Sequence, residues 1–235
     1  MSAENYGSIE KAVSGDYEFS IGAVISEAWA KTRGAKWTIH LAFLYTFLVM
    51  MGLMIAFVFL STLLIEVTEV PSGNVALSLI MQLGLNLIMM PLMAGIIILG
   101  IKRSVDAPIK AGSIFGYFSK MIPLFLTMIL MYIMIIIGFL LLVLPGIYLS
   151  VAYYMAMPLV VEKGMSPWQA LETSRKAITR RWFSVFAFFI IMSILVFISA
   201  IPLGLGLIWT MPLMIIAFGI LYRNMFGVEA ETVAA

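Results

Sequence analysis

The sequence predicts an all-α integral membrane protein with six transmembrane helices, arranged as three hairpins that each follow an amphipathic helix on the cytoplasmic face. The composition, two long runs without charge and the placement of the basic residues support this prediction. Hydrophobic residues make up 63% of the 235-residue chain and charged residues 11%, whereas a soluble domain carries roughly a quarter charged residues. So little charge cannot cover the surface of a soluble globule of this size.

The two runs without charge extend from Met121 to Val161 and from Trp182 to Tyr222, and each contains 41 residues. A helix crosses the hydrocarbon core in about 20 residues, so each run predicts two crossings. Each run also contains proline and glycine close together, in Leu144-Pro145-Gly146 and in Pro202-Leu203-Gly204. Because proline presets φ and glycine accepts a positive φ, we predict a tight reversal at both places.

The first hairpin is predicted from two apolar segments that flank a polar, turn-rich stretch from Glu66 to Gly73. Residues 1–18 are expected to form a cytoplasmic tail, and residues 19–235 a single membrane domain. The six predicted spans are about 37–61, 75–101, 121–144, 146–161, 182–201 and 203–222.

The fourteen lysines and arginines all fall in the N-terminal segment, the two connections between hairpins, or the C-terminal tail. With six spans, all of these segments lie on one side of the membrane, and the three hairpin turns contain no basic residue. Lysine and arginine concentrate on the cytoplasmic side of membrane proteins. We therefore expect both termini to be cytoplasmic.

A repeated tripeptide indicates possible internal triplication. Met-Pro-Leu occurs once in the second helix of each hairpin, at Met90–Leu92, Met157–Leu159 and Met211–Leu213. The alternative is chance, because methionine and leucine are abundant in this chain. If the repeat is real, the hairpins are related by pseudo-threefold symmetry about the membrane normal.

A segment with helix-start residues precedes each hairpin, which adds to the case for a repeat. These segments begin at Ser20, at Asp106 and at Ser166, and each is followed by an apolar stripe at helical spacing. Ser166-Pro167-Trp168-Gln169 reads as a capping box with proline at the first helical position. We expect the three segments to lie along the membrane surface.

Groups that carry chemistry are sparse. The predicted spans contain no acidic or basic residue, which argues against proton- or sodium-coupled transport. The chain has no cysteine, and its one histidine, His40, is interpreted as an interfacial residue rather than a catalyst. We predict a protein that is not an enzyme, with no catalytic residues, metal, cofactor or nucleic-acid partner.

Two sets of residues within the spans are candidates for a role. Gln82 and Asn86 lie four positions apart on one helix face, where they either bond to another helix or line a pore or headgroup path. Pro91, Pro158 and Pro212 should kink their helices, because each lacks a backbone donor. The kinks are either hinges or fixed packing features.

A basic cluster is the candidate site for phospholipid headgroups. Arg175, Lys176, Arg180 and Arg181 precede the fifth span, and such clusters attract anionic lipids. The alternative is that these charges only set the topology.

The stretch from Leu144-Pro145-Gly146 through Met157-Pro158-Leu159 and Ser166-Pro167 to Trp182 resembles the YciC-like family of uncharacterised bacterial inner-membrane proteins. More distantly, it is similar to the membrane domain fused to some glycerophosphodiester phosphodiesterases. The resemblance covers about residues 101–190. It implies a bacterial inner-membrane location and a six-helix fold, without phosphodiesterase activity, because this chain carries no catalytic domain.

Three functions remain open at this point. A lipid-interacting or envelope-maintenance protein, with membrane phospholipids as partners, is favoured by the basic interfacial segments and the absence of catalytic groups. The alternatives are an uncoupled channel, exporter or lipid flippase, and a structural subunit that binds another membrane protein. A polar groove from Gln82 and Asn86 to the cytoplasmic arginines would favour transport, whereas a filled apolar interior would favour the other two.

Overall fold

The computed structural model describes residues 6–68 and 75–234, except for the side chains of residues 64–68. In these ranges the chain is helical and contains no strand, and six of its segments are long and apolar enough to span a membrane. This confirms the predicted all-α membrane fold. The elements are α1 (Ile9–Ser14), α2 (Ile21–Thr32), α3 (Lys36–Thr68), α4 (Val75–Ser104), a 3₁₀ helix (Ala111–Lys120), α5 (Met121–Leu141), α6 (Val143–Ala152), α7 (Ala156–Glu162), α8 (Pro167–Arg180), α9 (Trp182–Ala200), α10 (Leu207–Phe226) and α11 (Ala230–Ala234).

Hairpin 1, formed by α3 and α4, has the longest helices of the bundle. They contain 33 and 30 residues, which corresponds to about 50 and 45 Å at 1.5 Å per residue. Helix α3 continues to Thr68, past its predicted end near residue 61, because residues 62–68 contain no glycine or proline. The rest of the predicted turn, residues 69–73, lies outside the described residues.

Hairpin 2 reverses before the predicted Leu144-Pro145-Gly146. The reversal occurs at Leu142, whose backbone is extended with φ −166° and ψ 157°. Pro145 and Gly146 belong to the first turn of α6, so the predicted Pro-Gly reversal with a positive φ is wrong here. Proline fits the first turn because the first helical N–H groups have no partner within the helix. Gly146 instead allows close packing, because a Cβ there would lie 2.3 Å from the Phe139 ring.

Hairpin 3 reverses where predicted, between α9 and α10. Gly204 has φ +77° and follows Leu203, which also has a positive φ of 52°. The N–H groups of Leu203, Gly204 and Leu205 all donate to backbone carbonyls within or beside the turn. The turn is apolar and exposed, and Leu203 has 96% of its side-chain surface free.

The segments that precede the hairpins bury most of their apolar stripes against the bundle. The middle segment is a 3₁₀ helix rather than an α-helix. One aromatic residue on each segment remains exposed, namely Trp29, Phe115 and Trp168. The buried stripe residues include Val24 and Ala28, Ala111 and Ile114, and Leu171 and Ile178.

The helix starts follow the predicted positions but not the predicted hydrogen bonds. Ser20 and Ser166 are N-caps and Pro167 is the first helical residue, yet neither serine hydroxyl caps a backbone N–H. The capping box is therefore wrong in its hydrogen bonding. Ser8, in the predicted tail, does cap α1 by accepting from the Lys11 N–H at 3.2 Å. Helix α1 packs on α8 and α10, so this part of the tail belongs to the folded domain.

The three units form a closed ring. The 3₁₀ helix packs on α4, α8 packs on α7, and α2 packs on α10, so each surface segment contacts the second helix of the preceding hairpin in cyclic order. The first helices repeat the pattern, with α5 against α4, α9 against α6 and α3 against α10. Helices α4, α6–α7 and α10 are about half buried, whereas α3, α5 and α9 are mostly exposed. This cyclic order is the arrangement that a pseudo-threefold repeat requires.

The backbones of helices α4 and α10 come close together toward the C-terminal ends of both helices, at Gly100 and Gly219. A Cβ added at Gly219 would lie 2.2 Å from the Gly100 carbonyl oxygen, and one added at Gly100 would lie 2.2 Å from the Ile215 oxygen. Only glycine allows two backbones to approach this closely. The surrounding core is filled by apolar side chains from α4, α7 and α10.

Candidate functional site

The end of the bundle that carries the hairpin connections is called the basic face below. All fourteen basic residues and ten of the twelve acidic residues belong to these segments or to the adjoining helix ends, which gives the segments a net charge of +4. Ion pairs and hydrogen bonds link the segments to one another. The question for function is which cations remain free to bind a ligand.

Two of the four predicted headgroup residues are paired with a carboxylate on their own helix. Arg175 donates to both oxygens of Glu172, at 2.9 and 2.8 Å, and Lys176 lies 3.4 Å from the same carboxylate. The hydrogen bond from Arg175 lowers the pKa of Glu172 below its ordinary value, and raises the pKa of Arg175. The spacing of three and four residues is typical of helical ion pairs and was visible in the sequence.

The other two predicted headgroup residues differ from each other. Arg181 lies 3.2 Å from Glu18. Arg180 is exposed, packs its stem against Gly15, and has no carboxylate within 4.0 Å in the described part of the chain. The net positive charge of the predicted four-cation cluster is therefore lowered by two carboxylates, Glu172 and Glu18.

Gln82 and Asn86 do not bond to another helix in the described residues. The Asn86 amide donates to the backbone oxygen of Gln82 at 2.8 Å, within α4. Gln82 lines a cleft of about 590 Å³ between α3 and α4, whose other walls are mainly apolar, such as Leu53 and Phe57. Among the described residues no arginine or lysine lines this cleft, so these residues do not join the two amides to the basic face.

The three prolines of the repeat are buried but differ in their setting. Pro91 and Pro212 lie inside the continuous helices α4 and α10. The contacts of Gly219 with Gly100 and of Gly100 with Ile215 pair residue 212 with residue 93 or 97, so these two prolines differ by roughly 3–9 Å along the helices. Pro158 lies in the first turn of α7, just after the chain breaks between α6 and α7. At Pro158 the predicted kink is thus a complete break.

Ser174 from α8 satisfies the backbone at this break. Its hydroxyl donates to the Ala152 oxygen at 2.7 Å and accepts from the Met155 N–H at 3.1 Å. Ser174 is fully buried. The break is therefore stabilised from the basic face, by a residue that the sequence analysis did not select.

Arg223 joins three elements at the basic face. Its guanidinium donates to both oxygens of Glu27 on α2, at 2.7 and 3.0 Å, and to the Ser104 carbonyl at the end of α4. It also lies 5.0 Å from the Tyr6 ring centroid. Arg223 is 7% exposed, so its role is to hold the ring closed rather than to bind a ligand.

A second buried cluster holds the C-terminal segment. The Tyr222 hydroxyl donates to Glu162 at 2.9 Å, and the Glu229 N–H donates to the other oxygen of the same carboxylate. Lys163 lies 2.7 Å from Glu229. These partners are 60 or more residues apart, and no local pattern in the sequence indicated them.

The junction of α2 and α3 forms a cleft that the sequence analysis missed. It has a volume of about 460 Å³, and its walls include Trp29, Arg33, Lys36, Trp37 and Trp209. This junction is called the tryptophan corner below. The Lys36 ammonium lies 4.9 Å from the ring centroids of both Trp37 and Trp209. Neither Arg33 nor Lys36 has a carboxylate within 4.0 Å among the described residues.

Metal and catalytic chemistry have few candidates. Among the described residues no group of three His, Asp or Glu side chains is placed to hold a metal ion. The His40 Nδ1–H donates to the Lys36 carbonyl at 2.8 Å, one turn earlier on α3. His40 is thus engaged in a local bond.

Comparison of the chain with protein-family models, with curated proteins and with solved structures found no match. The fold and the apolar exposed helices define a polytopic α-helical membrane protein. The resemblance to the YciC-like family stays a prediction.

Proposed function

We propose that this chain is a phospholipid-interacting protein of the bacterial inner membrane, with both termini cytoplasmic and a role in maintaining the envelope. The observation that carries the proposal is the contrast between its two regions. The centre is filled with apolar side chains, whereas the basic face has six exposed or partly exposed cations without a carboxylate within 4.0 Å in the described residues. These cations are Lys11, Arg33, Lys36, Lys110, Lys120 and Arg180.

Unpaired cations beside apolar membrane helices attract anionic headgroups. The transport alternative depended on a polar path from Gln82 and Asn86 to the arginines. The cleft at Gln82 is instead mainly apolar and has no basic residue among its described lining residues, which favours lipid binding over transport. The structural-subunit alternative is compatible with the filled core, but no described surface specifies a protein partner.

Native mass spectrometry after gentle extraction tests the proposal. We expect phosphatidylglycerol or cardiolipin to remain on the protein in a higher proportion than in the surrounding membrane. Retained lipid with the composition of the bulk membrane would contradict the proposal. Retention of a small polar solute instead would favour the transport alternative.

A further inference from the structure

The tryptophan corner concentrates interfacial side chains at one place. Three of the five tryptophans of the chain line it. Trp29 and Trp37 adjoin the basic connection between α2 and α3, where tryptophan prefers the level of the lipid headgroups because its ring is apolar and its N–H is polar. Trp209 reaches the cleft from the first turn of α10. Trp29, Trp37 and Trp209 are 53%, 69% and 44% exposed. Their rings are therefore available to a lipid rather than used for packing.

The charge of the corner is positive and uncompensated. Arg33 and Lys36 supply two cations, and no carboxylate is among the residues that line the cleft. Lys36 is held between two indole rings, where the cation–π interaction fixes its position without neutralising it. A phosphodiester supplies the missing negative charge, whereas the ammonium of a zwitterionic headgroup would meet two like charges.

The backbone of the corner is fixed from α4. Arg103 donates to the Lys31 carbonyl at 2.9 Å and to the Arg33 carbonyl at 3.0 Å. Gly34 turns the chain with φ +80° and has no atom within 4 Å of its Cβ position. The cleft is thus a formed site with open space beside the cations.

An apolar stripe leads away from the cations along α3. Trp37, Leu41, Leu44 and Leu48 follow each other at helical spacing on one face, and all four are exposed, from 40% to 69%. A free phosphate would not use this stripe, but an acyl chain joined to a phosphodiester would. The neighbouring stripe therefore favours a lipid over a soluble phosphate.

We infer that the tryptophan corner binds one anionic phospholipid, with its phosphodiester at Arg33 and Lys36 and an acyl chain along the exposed stripe of α3. This inference rests on the proposed lipid interaction and assigns it to a place other than the predicted cluster on α8. Specificity for net-negative lipids follows from the two cations and the absence of a carboxylate.

The test compares two charge-matched double variants. Purified protein is mixed with equal amounts of phosphatidylglycerol and phosphatidylethanolamine, and bound lipids are counted by native mass spectrometry. Arg33→Gln with Lys36→Gln should lower the preference for phosphatidylglycerol by on the order of tenfold or more. The reason is that each of the two removed charges contributes to the binding of an anionic headgroup. Lys110→Gln with Lys120→Gln removes two unpaired cations from the same face without an aromatic cleft, and should retain the preference.

Further arms keep the outcome decisive. Lys36→Arg preserves the charge and should behave like the wild type, and gel filtration checks that each variant is folded. Equal losses in both double variants, or displacement of phosphatidylglycerol by inorganic phosphate at the same concentration, would overturn the inference. If the wild type retains phosphatidylglycerol but only the Lys110/Lys120 variant loses it, the proposed function stands and this site is wrong. A wild type that retains no anionic lipid contradicts both.

Discussion

Replacing Ser174 with alanine should weaken the bundle at the break between α6 and α7. The serine hydroxyl serves two backbone groups there, the Ala152 carbonyl and the Met155 N–H. Ser174 is fully buried, so both backbone groups bond to it away from solvent. Alanine fits the space but leaves both groups without this partner.

The expected magnitude follows from two unsatisfied groups. A buried donor or acceptor without a partner costs about 1–3 kcal/mol, so Ser174→Ala should lower the free energy of unfolding by roughly 2–6 kcal/mol. For a chain of this size, 1 kcal/mol corresponds to about 2–4 °C, so the Tm should fall by roughly 4–24 °C. The removed hydroxyl is small, and no cavity of consequence remains.

The assay is thermal unfolding in detergent, followed by the fraction of monodisperse protein after heating. Ser184→Ala is the matched control, because Ser184 is exposed near the start of α9, and its effect should stay within about 0.5 kcal/mol. Equal Tm values for the two variants would refute the reasoning, and would mean that the broken helix satisfies its backbone without α8.

Four other predictions follow from the fold. A periplasm-active reporter fused at Gly73 or Gly204 should be active and one fused after Arg223 silent, and activity at the last site would overturn the six-span topology. Gly219→Ala should cost about 1–3 kcal/mol of stability, because its Cβ would lie 2.2 Å from the Gly100 oxygen, whereas Gly52→Ala, with no atom within 4 Å, should cost nothing; matching unfolding curves would contradict the close crossing. Burial raises the pKa of Tyr17 to about 12 from 10.0, so its contribution to stability is complete below pH 10 and is lost as pH rises through about 12; Tyr17→Phe should lack this step in a plot of Tm against pH. The three repeat prolines should superpose in depth in an experimental structure when the hairpins are overlaid, and a scatter above about two helical turns, roughly 11 Å, would leave the tripeptides as coincidence.

The architecture was predictable because its causes are local. Two charge-free runs are each long enough to cross the membrane twice, and the basic residues all fall on one side. These two features predict three hairpins without any knowledge of the contacts between helices. The reversal at Gly204 was predicted correctly, but Gly146 was not, because the same Pro-Gly pair also suits the first turn of a helix. Only the packing of Gly146 against Phe139 distinguishes the two cases.

The candidate site was less predictable because it depends on contacts between distant segments. The pairing of Glu172 with Arg175 could have been predicted from their spacing, and would have lowered the expected charge of α8. The tryptophan corner needs Trp209, which is more than 170 residues from Lys36 in the chain. Composition and periodicity do not report such proximity.

The closed ring determines when the protein finishes folding. Helix α2 is made before the first span, but its partner α10 contains the sixth span, and the bond from Arg223 to Glu27 joins residues 196 positions apart. At about 5–20 residues per second, synthesis of the intervening chain takes roughly 10–40 s. Throughout that interval α2 lacks the helix α10 on which it packs, so the young chain exposes an unpaired amphipathic helix. Insertion of the third hairpin is thus the step that completes the fold, and a ribosome stalled before α10 would hold the protein in an open state.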